Sequence, residues 1–275
     1  MINGVLNMHR ITGAIAMLCL SASSVAKDAD GVRIVAVDGK MEAPQTMHPG
    51  MRHIIFENHG KQIHEAMFLK LPAGMSVADF QGQVDKGILF PDGVLDYSGA
   101  GLMSPGETTE VWVPLDPGEY VLICWNHMRH SVRGLTIPNG KRVDDTPPKE
   151  DAVLLMGDFK FELQGQVKKG TRVIKVQSSG PSLHEADLYR LHPGHSVADV
   201  TRWYKEGLHE PAPVDALGGV LDSSDTKRVV WLRHKFIPGQ YVFQCQLPFD
   251  MHAQSGSNAP IHADVGMVMT FDVAQ

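Results

Sequence analysis

Pro117-Gly118-Glu119-Tyr120-Val121-Leu122-Ile123-Cys124 is answered 121 residues later by Pro238-Gly239-Gln240-Tyr241-Val242-Phe243-Gln244-Cys245. Two further matches keep almost the same offset, 120 residues: Ile63-His64-Glu65-Ala66 with Leu183-His184-Glu185-Ala186, and Ser76-Val77-Ala78-Asp79 with Ser196-Val197-Ala198-Asp199. Self-similarity at this length predicts two copies of one domain, over 27–140 and 152–275. Between them, residues 141–151 centre on Asp144-Asp145-Thr146-Pro147-Pro148-Lys149-Glu150, whose prolines and charges read as a linker.

Within the first copy the apolar runs are short: 31–37, 52–57, 64–71, 110–113 and 120–124. The second repeats them at 152–156, 171–177, 184–191, 229–232 and 241–245. Gly and Pro punctuate the runs at intervals typical of antiparallel sandwiches. One helix interrupts each copy. Ser76 offers an N-cap with Asp79 three residues on, and Phe80, Val84 and Ile88 then share a face. Val200, Tyr204 and Leu208 are the matching face in the second copy.

The balance of 25 Lys plus Arg against 31 Asp plus Glu gives a net charge of -6, with no basic run, which argues against a nucleic-acid partner. Residues 1–26 carry Arg10, an apolar run from Ile11 to Leu20, and small residues ending at Ser24-Val25-Ala26. That pattern predicts a secretory signal peptide cleaved after Ala26, and hence a periplasmic or secreted chain. No later stretch reaches the roughly 20 apolar residues of a membrane span. Of the 3 Cys, Cys19 lies in the signal segment, leaving Cys124 and Cys245 in the mature chain.

Each copy places a His at the start of a strand, a Cys at the end of a late strand, and a His a loop later. A soft thiolate with two imidazoles and a weak axial thioether is the donor set of a type 1 copper site. The second copy carries all four: His184, Cys245, His262 and Met267, the last two in Pro260-Ile261-His262-Ala263-Asp264-Val265-Gly266-Met267. The first carries His64, Cys124 and His127. Five residues separate His262 from Met267, and the same count from His127 reaches Val132. This predicts Val132 in the axial place and, lacking a thioether, a higher potential for the first site. A copper-free structural copy is the alternative there.

On these residues the chain resembles the cupredoxin family over both copies. The resemblance implies an all-β fold of two tandem cupredoxin-like Greek-key β-sandwiches, each with one short inserted helix. It also implies bound type 1 copper, one-electron transport and a redox partner protein, and it sets no oligomeric state.

Competing readings attach to several of these residues. Cys124 and Cys245 as a disulfide would need their Cα atoms within about 7 Å. His252 and His130 compete with His262 and His127 as ligands, but five residues past them stand Ser257 and Leu135. Glu65 and Glu185 are read either as orienting the preceding imidazoles or as solvated strand residues. His48, His53, His59, His192, His195, His209 and His234 are expected at the surface.

Tandem cupredoxins are also found in copper nitrite reductases and multicopper oxidases, where a His beside the type 1 Cys wires a catalytic copper. Here Ile123, Trp125, Gln244 and Gln246 flank the cysteines, and no His-x-His pair is present. The expectation is therefore an electron carrier without enzymatic turnover. The alternative is a copper-handling module, for which Met41, Met47, Met51 and Met67 are the available soft donors.

Overall fold

The computed structural model describes residues 31–88, 90–127, 132–180, 182–221, 228–249 and 259–275. The expected signal segment and its cleavage point at Ala26, together with His130 and His252, lie outside them. The first repeat runs β1 (Val32–Val37), β2 (Lys40–Glu42), β3 (Gly50–Asn58), β4 (His64–Lys70), α1 (Val77–Val84), β5 (Leu95–Met103), β6 (Thr108–Leu115), β7 (Gly118–Ile123) and β8 (Arg133–Ile137). The second follows the same order: β9 (Ala152–Gly157), β10 (Lys160–Gly165), β11 (Gly170–Ser178), β12 (Glu185–Leu191), α2 (Val197–Lys205), β13 (Val214–Leu221), β14 (Val229–Phe236), β15 (Gly239–Gln244) and β16 (Val268–Val273).

Alternation makes these strands. In β14, Val230, Leu232, His234 and Phe236 are buried while their neighbours face outward, the period of a sheet with one face on a core. Among the described residues the strands form two sheets, β10-β9-β11-β14-β6-β3-β1-β2 and β16-β15-β12-β13-β5-β4-β7-β8. In each repeat the chain leaves one sheet for the other between the fifth and seventh strands, and β7 returns beside β4 as β15 does beside β12. These are Greek-key crossings, so the expected all-β architecture of two sandwiches, each with one inserted helix, is the one observed.

The helices are shorter than their apolar spacing. Asp79 accepts from the Ser76 N–H at 2.9 Å and closes the first turn of α1, which buries Phe80 and Val84. Ile88 lies beyond the helix and is 37% exposed, because Gly87 at φ +84° has turned the chain. In α2 the buried face is Val200 and Trp203; Tyr204 is half-buried, and Leu208 lies past the helix end at φ +61°. The Trp203 indole N–H donates to the His209 carbonyl at 2.9 Å, tying this face to the following turn.

The two repeats share their sheets. β5 pairs with β13 (Leu217 opposite Met103, Val220 opposite Ala100), and β6 pairs with β14 (Trp231 opposite Trp112, Arg233 opposite Glu110). Each sandwich thus covers the other's open edges, and one apolar cluster runs through both. Arg228 clamps the junction: it donates to the Pro114 carbonyl at 2.9 Å, meets Asp116 at 2.6 Å, and lies 4.0 Å from the Tyr97 ring centroid. The segment after β8 is docked as well. Val143 N–H donates to Pro49 O, Asp145 N–H donates to Met51 O, and the side chains of Asp144 and Asp145 accept from Met51 and His53 N–H, all within 2.9 Å.

Two surface expectations fail here. His234 belongs to the core face, and burial pushes its imidazole down to about 4. His53 stacks on Trp112 at 4.1 Å and reaches Glu110 at 2.7 Å. A core and sheets shared in this way predict one cooperative transition for the metal-free chain in calorimetry. Two separate endotherms would show that the repeats melt as independent units.

Candidate metal centres

In the first repeat, His64 opens β4, Cys124 follows β7, and His127 ends the short turn Trp125–His127. Cys124 Sγ lies 3.8 Å from His64 Nδ1 and 3.5 Å from His127 Nδ1. In the second, His184 precedes β12, Cys245 follows β15, and His262 opens the turn His262–Val265. His262 Nδ1 is 3.2 Å from His184 Nδ1 and 3.3 Å from Cys245 Sγ. Within each trio one donor atom per residue falls within 4.8 Å of the others, a spacing one metal ion can bridge. Cys124 and Cys245 are fully buried and neither is in a disulfide, so the disulfide reading is excluded in this structure.

Backbone hydrogen bonds weave the second loop together. Cys245 N–H donates to Met267 O at 3.2 Å, Met267 N–H to His262 O at 3.1 Å, and Ala263 N–H to Cys245 O at 3.0 Å. Met267 is fully buried in the same apolar cluster as Cys245. Burial pushes the His184 imidazole down, and burial with His184 alongside holds His262 down to about 4, so both are neutral at pH 7 as metal ligation requires. Burial, with Glu65 adding to it, pushes the Cys124 thiol up to about 12; the Cys245 thiol is raised by burial and Glu185. Without metal both are thiols.

The axial count fails in the first repeat. β7 and β8 set Gly118 opposite Ile137, and β15 and β16 set Gly239 opposite Val273. Counting back along each final strand matches Val132 with Val268, one residue past Met267. Their packing agrees: Val132 lies with Trp125 against the cluster beneath α1, and Val268 against the cluster beneath α2. Val132 is therefore not Met267's equivalent; that position falls at residue 131, outside the described residues. The expected potential difference loses its basis with it.

Sequence reasoning missed the carboxylates that reach the imidazoles. Asp38, in the β1–β2 turn, has Oδ1 3.3 Å from His64 Nε2 and accepts from Lys61 N–H at 2.8 Å, which holds its carboxyl below the usual range. Asp158 is its counterpart, with Oδ1 3.8 Å from His184 Nε2, a nitrogen with no hydrogen-bond partner among the described residues. The 120-residue offset linking Asp38 to Asp158 was the available signal.

Glu65 and Glu185 do neither of the things expected of them. They are buried, and they accept from the N–H of Trp125 at 2.9 Å and of Gln246 at 2.5 Å, the residues following each cysteine. Of the four methionines offered as soft donors for a copper-handling surface, Met41, Met47 and Met67 are core residues, and Met51 is half-buried.

No protein-family model matches the chain, and no curated protein matches it. Among solved structures, auracyanin A, a "blue" copper protein from Chloroflexus aurantiacus, is 18% identical over 38% of this chain and 96% of its own, with a TM-score of 0.29. A copper nitrite reductase from Nitrosomonas europaea is 15% identical over 89% and 93%, TM-score 0.26. A multicopper oxidase is 15% identical over 88% of each chain, TM-score 0.24. Likeness at these scores carries no weight for function. What defines the molecule is its own geometry: two Greek-key β-sandwiches, each holding a His–Cys–His trio able to bind a metal ion.

Proposed function

We propose that this chain is an exported type 1 copper protein with two centres, carrying single electrons to or from a redox partner protein. The observation that carries this reading is the convergence of one thiol and two imidazoles in each repeat. That donor set favours copper over harder ions, and in the second repeat the Nδ1 atoms of His184 and His262 converge beside Cys245 Sγ, so these three residues would hold the ion. Bound copper would supply the one-electron couple, and the buried Met267 would be available as a further soft donor beside His184, Cys245 and His262. The first centre would use His64, Cys124 and His127.

The remaining residues hold these donors still. Asp38 and Asp158 face the outer nitrogen of each first imidazole, and Glu65 and Glu185 grip the backbone just past each cysteine. Donors anchored in this way change little between oxidation states, as a carrier needs. With no His beside either cysteine, a catalytic copper has no covalent wire to these centres, which favours a carrier over an oxidoreductase. Two domains, 27–140 and 152–275, and processing near Ala26 complete the proposal.

Visible and electron paramagnetic resonance spectra of the copper-loaded chain, with copper counted per chain, test it. Two coppers and an intense thiolate-to-copper band are expected. A colourless protein with full copper occupancy would overturn the reading.

A further inference from the structure

Phe159 sits in the β9–β10 turn at φ +56°, a region that bulky L side chains rarely adopt. The matching turn of the first repeat, Asp38-Gly39-Lys40, holds a glycine at φ +76°, where an added Cβ would meet nothing within 4 Å. The turn itself therefore has no need of an aromatic residue, and the strained one must be offset by what its ring touches. That ring stands edge-to-face on both imidazoles of the second trio, 5.7 Å from His184 at 79° and 4.9 Å from His262 at 86°. Phe249, 46% exposed, packs 5.2 Å from Phe159 and 4.8 Å from His262 on the outer side.

We infer that Phe159 is a positioning residue of the second centre: its ring clamps His184 and His262 together and seals the trio from water and small solutes. This deepens the copper-carrier reading and rests on it only for the metal the trio would hold. His262 is 6% exposed under the ring, whereas His127, in the repeat with glycine at this turn, is half-buried.

The test compares Phe159→Gly, which gives the turn the residue its backbone prefers, with Phe159→Tyr, which keeps the ring. In the metal-free full chain, iodoacetamide labelling of Cys245 and diethyl pyrocarbonate labelling of His262 are followed by mass spectrometry, with Cys124 as internal control. Phe159→Gly should speed labelling of Cys245 and His262 about tenfold and leave Cys124 unchanged; Phe159→Tyr should keep the parent rates. Unchanged rates in a folded glycine variant would overturn the inference, as would equal opening in the tyrosine variant. Should the glycine variant melt early, Phe159→Ala removes the ring with the backbone unaltered and is read in the same way. Copper-loaded Phe159→Gly should also release metal from the second centre to a chelator about tenfold faster. Failure of the parent chain to take up copper would strike the carrier reading alone, since the labelling rates are measured without metal.

Discussion

Asp187→Asn is expected to stabilise the metal-free protein at alkaline pH and to change little near pH 4. Asp187 reaches from β12 across the junction, where its Oδ1 accepts from Leu102 N–H of β5 at 3.1 Å and its Oδ2 accepts from the Tyr189 hydroxyl at 3.1 Å. Burial pushes its carboxyl up to about 7 against the opposing Leu102 hydrogen bond. Burial also raises Glu65 to about 8, and Glu185 in the same direction, with Asp187 adding to both. A carboxyl whose folded pKa exceeds its unfolded value keeps its proton in the folded chain after the unfolded chain has lost it. Its contribution is therefore intact below the unfolded value of 3.8 and is lost as pH rises through about 7. Over that window the loss from Asp187 amounts to at most about 4 kcal/mol. Asparagine has no proton to lose. Its oxygen can still accept from Leu102 and its amide can donate to Tyr189; a flip of the Gln246 amide, whose Nε2 meets the Tyr189 hydroxyl at 3.4 Å, would then offer that hydroxyl Oε1, which has no partner among the described residues of the parent. Denaturant titrations at pH 4 and pH 8.5 measure the effect: a gain of about 2 kcal/mol or more is expected at the higher pH alone. Equal stability of parent and variant at pH 8.5 would show that this carboxylate ionises in the fold at little cost.

The sequence exposed elements in which side chains alternate and motifs in which residue types recur, and it concealed whatever the backbone alone decides. The strands β1, β3, β7, β9, β11 and β15 were legible as short apolar runs set off by Gly, Pro and charged residues. β5 and β13 were not. Their glycines replace side chains where the neighbouring strand comes too close: a Cβ on Gly99 would lie 2.0 Å from Ala66 O, and one on Gly219 2.2 Å from Ala186 O. These two strands join the repeats, so the shared sheets were hidden along with them. The two trios were legible because Cys and His are scarce and their order repeats. The axial position in the first repeat was not, since a count along a loop ignores the strand register that sets Val132 level with Val268. Phe159 carried no signal at all, because one aromatic in a turn has no period; only its left-handed backbone marks it.

Cys245→Ser should abolish the thiolate-to-copper absorption of the second centre while leaving the fold in place. The band requires a sulfur donor, and a serine hydroxyl is hard and stays protonated at neutral pH. The substitution is otherwise mild. Cys245 Sγ accepts from Glu185 N–H at 3.4 Å, and a serine oxygen can take that bond, which limits the roughly 1–3 kcal/mol cost of burying a hydroxyl. Loss of colour in a variant that still melts cooperatively then reports ligation and not collapse. If both trios hold copper, Cys245→Ser and Cys124→Ser should each retain about half the parent absorbance, and the double variant none. A band undiminished in Cys245→Ser would remove the second centre from the assignment. A band lost entirely in that single variant would instead show that the trio of His64, Cys124 and His127 serves the fold and carries no coloured copper.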